Sequence, residues 1–252
     1  MISNIDTKRF FDLKKLIFTN ARIIINIFRK SHAFRLVQVG WFYNLIPKDK
    51  NYGFNRGTPI DRYYIENFLK FNAAEIKGHV LEIGDNSYTK RFGGDQVTRS
   101  DVLHVNSSNP NATIVGDLAY GDNIPSDSFD CLVITQTLQL IYDFHSAIRT
   151  MHRILKPGGV ALVTFPGLSQ MADDNWNPTW YWGFTRHSAK KMFGEVFSEN
   201  ALEVAAFGNV LTTVSFLKGI ASEELSLKDL SYRDPAYDLV ICVKVSKEKL
   251  DS

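Results

Sequence analysis

Residues 79–88, HVLEIGDNSY, limit what this chain can fold into more than any other stretch: a short apolar β-prone run gives way to an acidic residue, a glycine and a turn. Val80, Leu81 and Ile83 read as a strand buried on both faces, because parallel strands covered by helices carry near-continuous apolar runs. Asn86 and Ser87 supply turn and helix-cap chemistry. Glu82, Ile83 and Gly84 then stand where a parallel strand hands over to a helix. In a doubly wound α/β sheet, the crevice at that carboxyl end takes a nucleotide-like ligand. A glycine there lets the backbone turn tightly and approach the ligand with no Cβ in the way.

Further acidic residues follow at matching intervals. Asp101 lies 19 residues after Glu82, close to the roughly 20-residue spacing at which a second-strand carboxylate accepts hydrogen bonds from ribose hydroxyls. An aspartate there can equally cap a turn. Asp117 and Leu118 end a third apolar run, ATIVG, within reach of a base edge. FDCLVIT reads as a fourth strand, and LKPGGVALVTF as a tight turn feeding a fifth. Glu82, Asp101 and Asp117 are therefore expected at three successive strand ends, converging on one cleft. The pattern G-x-G-x-x-G is absent, and Gly93 and Gly94 come too late to replace it, which argues against a dinucleotide-dependent dehydrogenase.

The order of VLEIG, SDVL, IVGDL, DNIPSDSFDCLVIT and RILKPGGVALVTFP resembles the class I S-adenosylmethionine-dependent methyltransferases. More narrowly it is similar to the type 11-like bacterial methyltransferases found with glycosyltransferases in surface-polysaccharide pathways. The resemblance covers roughly residues 57–200. It implies an α/β, Rossmann-like doubly wound sheet of seven strands in the order 3-2-1-4-5-7-6, the last antiparallel, and S-adenosylmethionine as cofactor. Asp117 would then accept the adenine amino hydrogens and the Leu118 amide would donate to the ring. Gln136 and Thr137, just past the fourth strand, would touch the methionine amino group or merely cap backbone groups. Arg62 and Tyr63, on the helix before the first strand, would pair with the methionyl carboxylate or with an anionic acceptor; the alternative is a solvated face with Arg62 bonded to Asp61 or Glu66. The chain departs from the family's E-x-G-x-G-x-G turn, keeping only Gly84 and placing Asp85, Asn86 and Ser87 where later glycines would be. The cofactor carries no phosphate, and Asn86 tolerates a left-handed backbone at modest strain.

Composition bounds the remaining choices. The 252 residues and 44% hydrophobic content suit one large α/β catalytic domain over residues 51–252, preceded by an extension over residues 1–50. A formal net charge of +2 is too small to argue for nucleic acid. It hides an asymmetry: residues 1–40 carry eight basic side chains against Asp6 and Asp12, a net +6 that leaves −4 for the rest. Residues 10–39 form a basic amphipathic helical pattern, which fits helices capping the core, a dimer partner, or peripheral contact with a membrane or a glycosyltransferase. The last of these would suit a non-catalytic docking subunit. Cys131 and Cys242 lie inside apolar runs, indicating neither a disulfide framework nor a thiolate metal site, and a cytoplasmic setting is expected. No apolar run approaches the roughly 18 residues of a membrane span. No metal is expected: His145 and His152 are seven apart, where a helical metal pair more often uses four.

Residues 165–186, FPGLSQMADDNWNPTWYWGFTR, carry four aromatics between positions 180 and 184 at the carboxyl edge of the sheet. Aromatic faces suit the apolar faces of sugars and serve equally as a small satellite core. His187, at the start of the next helix, is the first candidate for the proton acceptor that a sugar hydroxyl needs, because an imidazole titrates near neutral pH. Tyr64 and Asp85 are alternatives, and a phosphate-type acceptor needs no base. The leading expectation is O-methylation of a glycan, nucleotide sugar or surface-polysaccharide precursor; a small-molecule or phosphate-type acceptor is the alternative. Acceptor identity and oligomeric state are not legible.

Overall fold

The computed structural model describes residues 45–171 and 176–249. The basic amphipathic stretch of residues 10–39 lies outside them. From Lys48 onward the chain forms one compact unit, built on seven strands: β1 (Gly78–Ile83), β2 (Val97–His104), β3 (Ile114–Val115), β4 (Phe129–Thr135), β5 (Leu155–Pro166), β6 (Leu202–Phe207) and β7 (Val240–Ser246). Their order across the sheet is β3-β2-β1-β4-β5-β7-β6. The first five pair in parallel, whereas β7 runs antiparallel to both β5 and β6. This is the order and sense expected for a Rossmann-like methyltransferase sheet.

Among the described residues, five α-helices flank it: α1 (Ile60–Phe71), α2 (Phe144–Ile154), α3 (Arg186–Gly194), α4 (Val210–Leu217) and α5 (Leu227–Ser231). Successive side chains of a strand face opposite ways, so each central strand feeds two cores. Leu81, Leu132, Ile134 and Val163 meet Ile148 and Met151 of α2 and Phe193 of α3 on one face. Val80, Cys131, Val133, Leu162 and Cys242 meet Ile60, Tyr64 and Leu69 of α1 and Phe216 of α4 on the other. Each large aliphatic or aromatic side chain so buried contributes roughly 1.5–3 kcal/mol. Both cysteines are fully buried and unpaired, and burial pushes their thiol pKa values up.

Helix starts follow capping chemistry. Asp143 caps α2 by accepting from the Ser146 amide, and Thr185–Ser188 and Asn209–Thr212 pairs close reciprocal caps on α3 and α4. In α1, Ile60, Tyr64 and Leu69 turn inward, but Phe71, which lies on the same angular face as Ile60 and Tyr64, is 88% exposed. Periodicity fixes angle and not axial extent: Phe71 is the last residue of the helix, where the chain turns away into Ala73–Glu75. Among the described residues, no helix is long and apolar enough to cross a membrane.

Candidate functional site

The chain winds outward from β1 through β2 and β3 on one side, and through β4 and β5 on the other. Connections leaving β1 and β4 go opposite ways at their carboxyl ends, which opens a crevice there. Residues 84–88, 105–109, 116–118 and 136–140 border it, with the first turn of α1 at the same end of the sheet.

Gly84 has φ 81° and no heavy atom within 4 Å of the place a Cβ would occupy. Its amide donates to Leu103 (3.0 Å), and its carbonyl accepts from the Asn109 side chain. The backbone is thereby held open towards the crevice. Glu82, only 2% exposed, accepts one amide on each carboxylate oxygen, from Tyr88 (3.2 Å) and Thr89 (2.7 Å). Burial pushes its pKa up to about 7 against these hydrogen bonds. Its role is to clamp the turn that the missing glycines would otherwise shape. Asn86 does not use the left-handed conformation it would tolerate; Tyr52, Asp127 and Gln136 are the described non-glycine residues with positive φ. The Lys90 amide bonds back to the Asn86 carbonyl (3.0 Å), so the backbone already curls into the single π-helical turn Thr89–Gly93. The Asn86 side chain donates to Ser100 Oγ (3.2 Å).

Asp101 does not stand at a strand end. It is in register with Leu81, three residues before β2 finishes at His104. Its carboxylate lies 2.6 Å from His79 Nε2 and 3.0 Å from Arg99, while His79 Nδ1 faces the Ser128 carbonyl (3.0 Å). Burial raises the Asp101 pKa, but hydrogen bonds from His79 and Thr113 and the charge of Arg99 outweigh it and leave the group below its ordinary value. A count of residues from Glu82 lands on this position; pairing register puts it mid-strand, in a structural ion pair. The convergence of Glu82, Asp101 and Asp117 on one cleft is corrected accordingly, since Glu82 serves the backbone and Asp101 serves His79.

Asp117 does follow β3. One carboxylate oxygen accepts from the Ala119 amide (2.8 Å), and its carbonyl accepts from Tyr120 and Gly121. Leu118 is buried in the first core. Gln136, immediately after β4, is held at φ 47°, its amide donating to the Thr164 carbonyl (2.8 Å). Gln136 Nε2 is buried with no partner among the described residues, as are Gln139 Oε1 and Thr164 Oγ1. Thr137 Oγ1 donates to the Thr135 carbonyl (2.9 Å).

On the first turn of α1, Arg62 bonds Glu66 (3.1 Å) and lies over the rings of Phe54 (5.5 Å) and Tyr88 (5.7 Å). Tyr63 packs edge-on to Tyr64 and lines a separate groove of about 390 Å³ with Glu66, Arg91, Phe92 and Leu227. That groove includes no residue from the ends of β2 to β5. Tyr64 is committed to the core, its hydroxyl donating to the Leu230 carbonyl (2.9 Å). Asp85 accepts from the Ser87 amide in an Asx turn. His187 is exposed on the first turn of α3.

The aromatic run is both satellite core and cover. Phe184 is buried between Phe165 (4.7 Å) and Phe144 (5.4 Å), and the Trp182 indole donates to the carbonyls of Ile141 and Tyr142. The amides of Tyr181 (2.9 Å) and Trp182 (3.3 Å) both donate to the Gln139 carbonyl, which fixes the run over the segment that leaves β4. Gln139 was missed from sequence; the available signal was a second amide side chain inside the apolar run LQLI.

These features fit an adenosine-bearing methyl donor. Gly84 offers clear space at the end of β1, where the backbone can approach a ligand with no Cβ in the way. A model of the methyltransferase domain matches residues 39–210. The ubiquinone/menaquinone biosynthesis C-methyltransferase UbiE of Vibrio cholerae is 36% identical over 88 residues, 34% of this chain and 31% of its own length. The demethylmenaquinone methyltransferase of Listeria monocytogenes is 32% identical over 83 residues, 33% of this chain and 32% of its own. The chain thus spans about a third of the length of these curated relatives. Among solved structures, a SAM-dependent methyltransferase from Archaeoglobus fulgidus shares the fold at TM-score 0.50 and 11% identity, over 74% of this chain and 94% of that one. The [4+2]-cyclase SpnF shares it at TM-score 0.51 and 15% identity, over 81% and 87%. With the sheet order, the open turn at Gly84 and a family model over most of its length, the chain belongs to the methyltransferase-domain family.

Proposed function

We propose that this methyltransferase acts on a hydroxylated ring, with oxygen as nucleophile and a sugar, nucleotide sugar or surface-polysaccharide precursor as acceptor. The observation that carries this reading is the aromatic run of residues 180–184, pinned over the exit of β4 beside the buried Gln136 and Gln139 amides. Aromatic faces next to uncharged hydrogen-bonding groups suit a polar ring better than a free phosphate.

Bound S-adenosylmethionine supplies a methyl group already activated by its sulfonium, so the protein's task is alignment and exclusion of water. Gly84 would admit the donor to the turn after β1, Asp117 and Leu118 would meet its base, and Thr137 with the backbone of Gln136 would meet its methionine end. Arg62 and Tyr63 would reach the carboxylate only by exchanging their present contacts. An acceptor hydroxyl taking up that methyl group would have to give up its proton. His187 is the proposed proton acceptor. A second reading, methylation of a ring carbon on a hydroxylated aromatic, draws on the likeness to the two quinone-pathway enzymes.

Calorimetry with S-adenosylhomocysteine tests the cofactor site. Gly84→Val and Asp117→Ala are expected to weaken binding at least tenfold, whereas Asp101→Ala keeps the affinity and lowers the melting temperature, because it strands His79 and Arg99. Transfer from ¹³C-methyl S-adenosylmethionine into sugar-nucleotide and reduced-quinone pools, read by carbon NMR, separates methyl ethers from carbon-bound methyl groups. Wild-type binding in Gly84→Val, or no labelled product from either pool, counts against the reading. His187→Ala is expected to lower kcat while leaving S-adenosylhomocysteine affinity intact.

A further inference from the structure

Gln139 is 1% exposed, yet its side-chain oxygen has no hydrogen-bond partner among the described residues. Its nitrogen reaches Gln136 Oε1 at 3.3 Å, and Gln136 Nε2 is in turn buried and unpartnered. Two carboxamides therefore stand together past β4 with one free acceptor and one free donor. Each orphan costs about 1–3 kcal/mol in a sealed interior. The left-handed backbone at Gln136 costs a further 1–3 kcal/mol or so. Costs of this kind persist where a ligand supplies what is missing.

Both side chains are held by their backbones. The Gln139 carbonyl takes the amides of Tyr181 and Trp182, and the Gln136 amide is tied to Thr164. No charged side chain hydrogen-bonds to either carboxamide among the described residues. At the surface beside them, Tyr142 (71% exposed) and Tyr181 (47% exposed) meet edge to face at 5.4 Å.

We infer that Gln136 and Gln139 form the specificity-determining pair for the acceptor, binding one hydroxyl of a neutral hydroxylated ring. The hydroxyl donates to Gln139 Oε1 and accepts from Gln136 Nε2, which leaves one oxygen lone pair free. An anion would set its charge against Gln139 Oε1, and an apolar ring would leave both amides orphaned. Because a carboxamide does not take up a proton at neutral pH, the pair holds a hydroxyl other than the one that reacts and is not a base. The inference rests on the acceptor reading above and deepens it: a sugar and a phenol present the same hydroxyl, and the test separates them.

Saturation-transfer NMR on the full chain with S-adenosylhomocysteine, using methyl β-D-glucoside and catechol as probes and acetate as the anionic control, gives the decisive measurement. At least one neutral probe is expected to bind with contacts to the Tyr181 and Trp182 rings, and acetate is not. Gln139→Leu and Gln136→Leu should each weaken that probe about tenfold, the loss of one hydrogen bond. S-adenosylhomocysteine affinity should stay within twofold in Gln139→Leu. The probe that binds identifies the acceptor class. Equal probe affinity in Gln139→Leu, binding of neither probe, or a parallel loss of S-adenosylhomocysteine affinity overturns the inference, the last assigning Gln139 to the donor's ammonium. Probe binding that depends on Gln139, combined with no methyl transfer to either acceptor pool, would sink the proposed reaction and leave this site standing.

Discussion

Glu82 takes an amide on each carboxylate oxygen while almost wholly out of water, and burial pushes its pKa from 4.5 up to about 7. The folded chain therefore holds this proton more tightly than the unfolded chain does between those two values. Stability associated with the group is present below about pH 4.5 and is lost as pH rises towards 7. Between pH 5 and 8 the wild type should lose roughly 1–3 kcal/mol relative to Glu82→Gln. Paired melting curves across that range measure it, and curves that stay parallel would contradict the assignment. At this scale the sequence misleads in a consistent way. Glu82 and Asp101 are recognisable as carboxylates in the right neighbourhood, but their partners are a turn amide and a histidine 22 residues away. Nothing in a one-dimensional string fixes whether an acidic side chain meets a ligand or its own backbone. Gly84 was legible because the requirement there is conformational and local.

The aromatic run joins α2 to the sheet as a single element would. Phe184 reaches Phe165 on β5 and Phe144 at the start of α2, while Trp182 ties to the carbonyls just before α2. Phe184→Ala removes the ring that anchors the run, a change worth about 3–5 kcal/mol in a packed core. A fall in melting temperature of roughly 10 °C is expected, with S-adenosylhomocysteine affinity retained because the proposed cofactor groups stand on other segments. An unchanged melting temperature would show that the run is held by its hydrogen bonds alone. Strands and helix starts were legible, since alternation, capping residues and glycines act over a few positions. The inward choice of Phe184 over its exposed neighbour Tyr181 was not, because both are aromatic and only packing against α2 separates them.

For the whole molecule, the strand order came with the family likeness that five short motifs in order carried, and short connections with right-handed crossovers are consistent with it. The antiparallel β7, wedged between β5 and β6, followed from the family likeness and not from its own residues, VICVKVS, which suit either direction. The same sheet in a protein described as a [4+2]-cyclase shows why chemistry has to be argued from side chains at the strand ends.

The two sealed thiols give this architecture an internal clock. Cys131 on β4 and Cys242 on β7 lie in the same layer beneath α1 and α4, so no reagent reaches sulfur until that layer parts from the sheet. Modification by a chromogenic disulfide under native conditions should proceed as a single slow phase consuming two equivalents, at least a thousandfold slower than in urea. Its rate then reports how often the sheet sheds that layer, with no label introduced. One fast equivalent would mean that one strand breathes independently of the other.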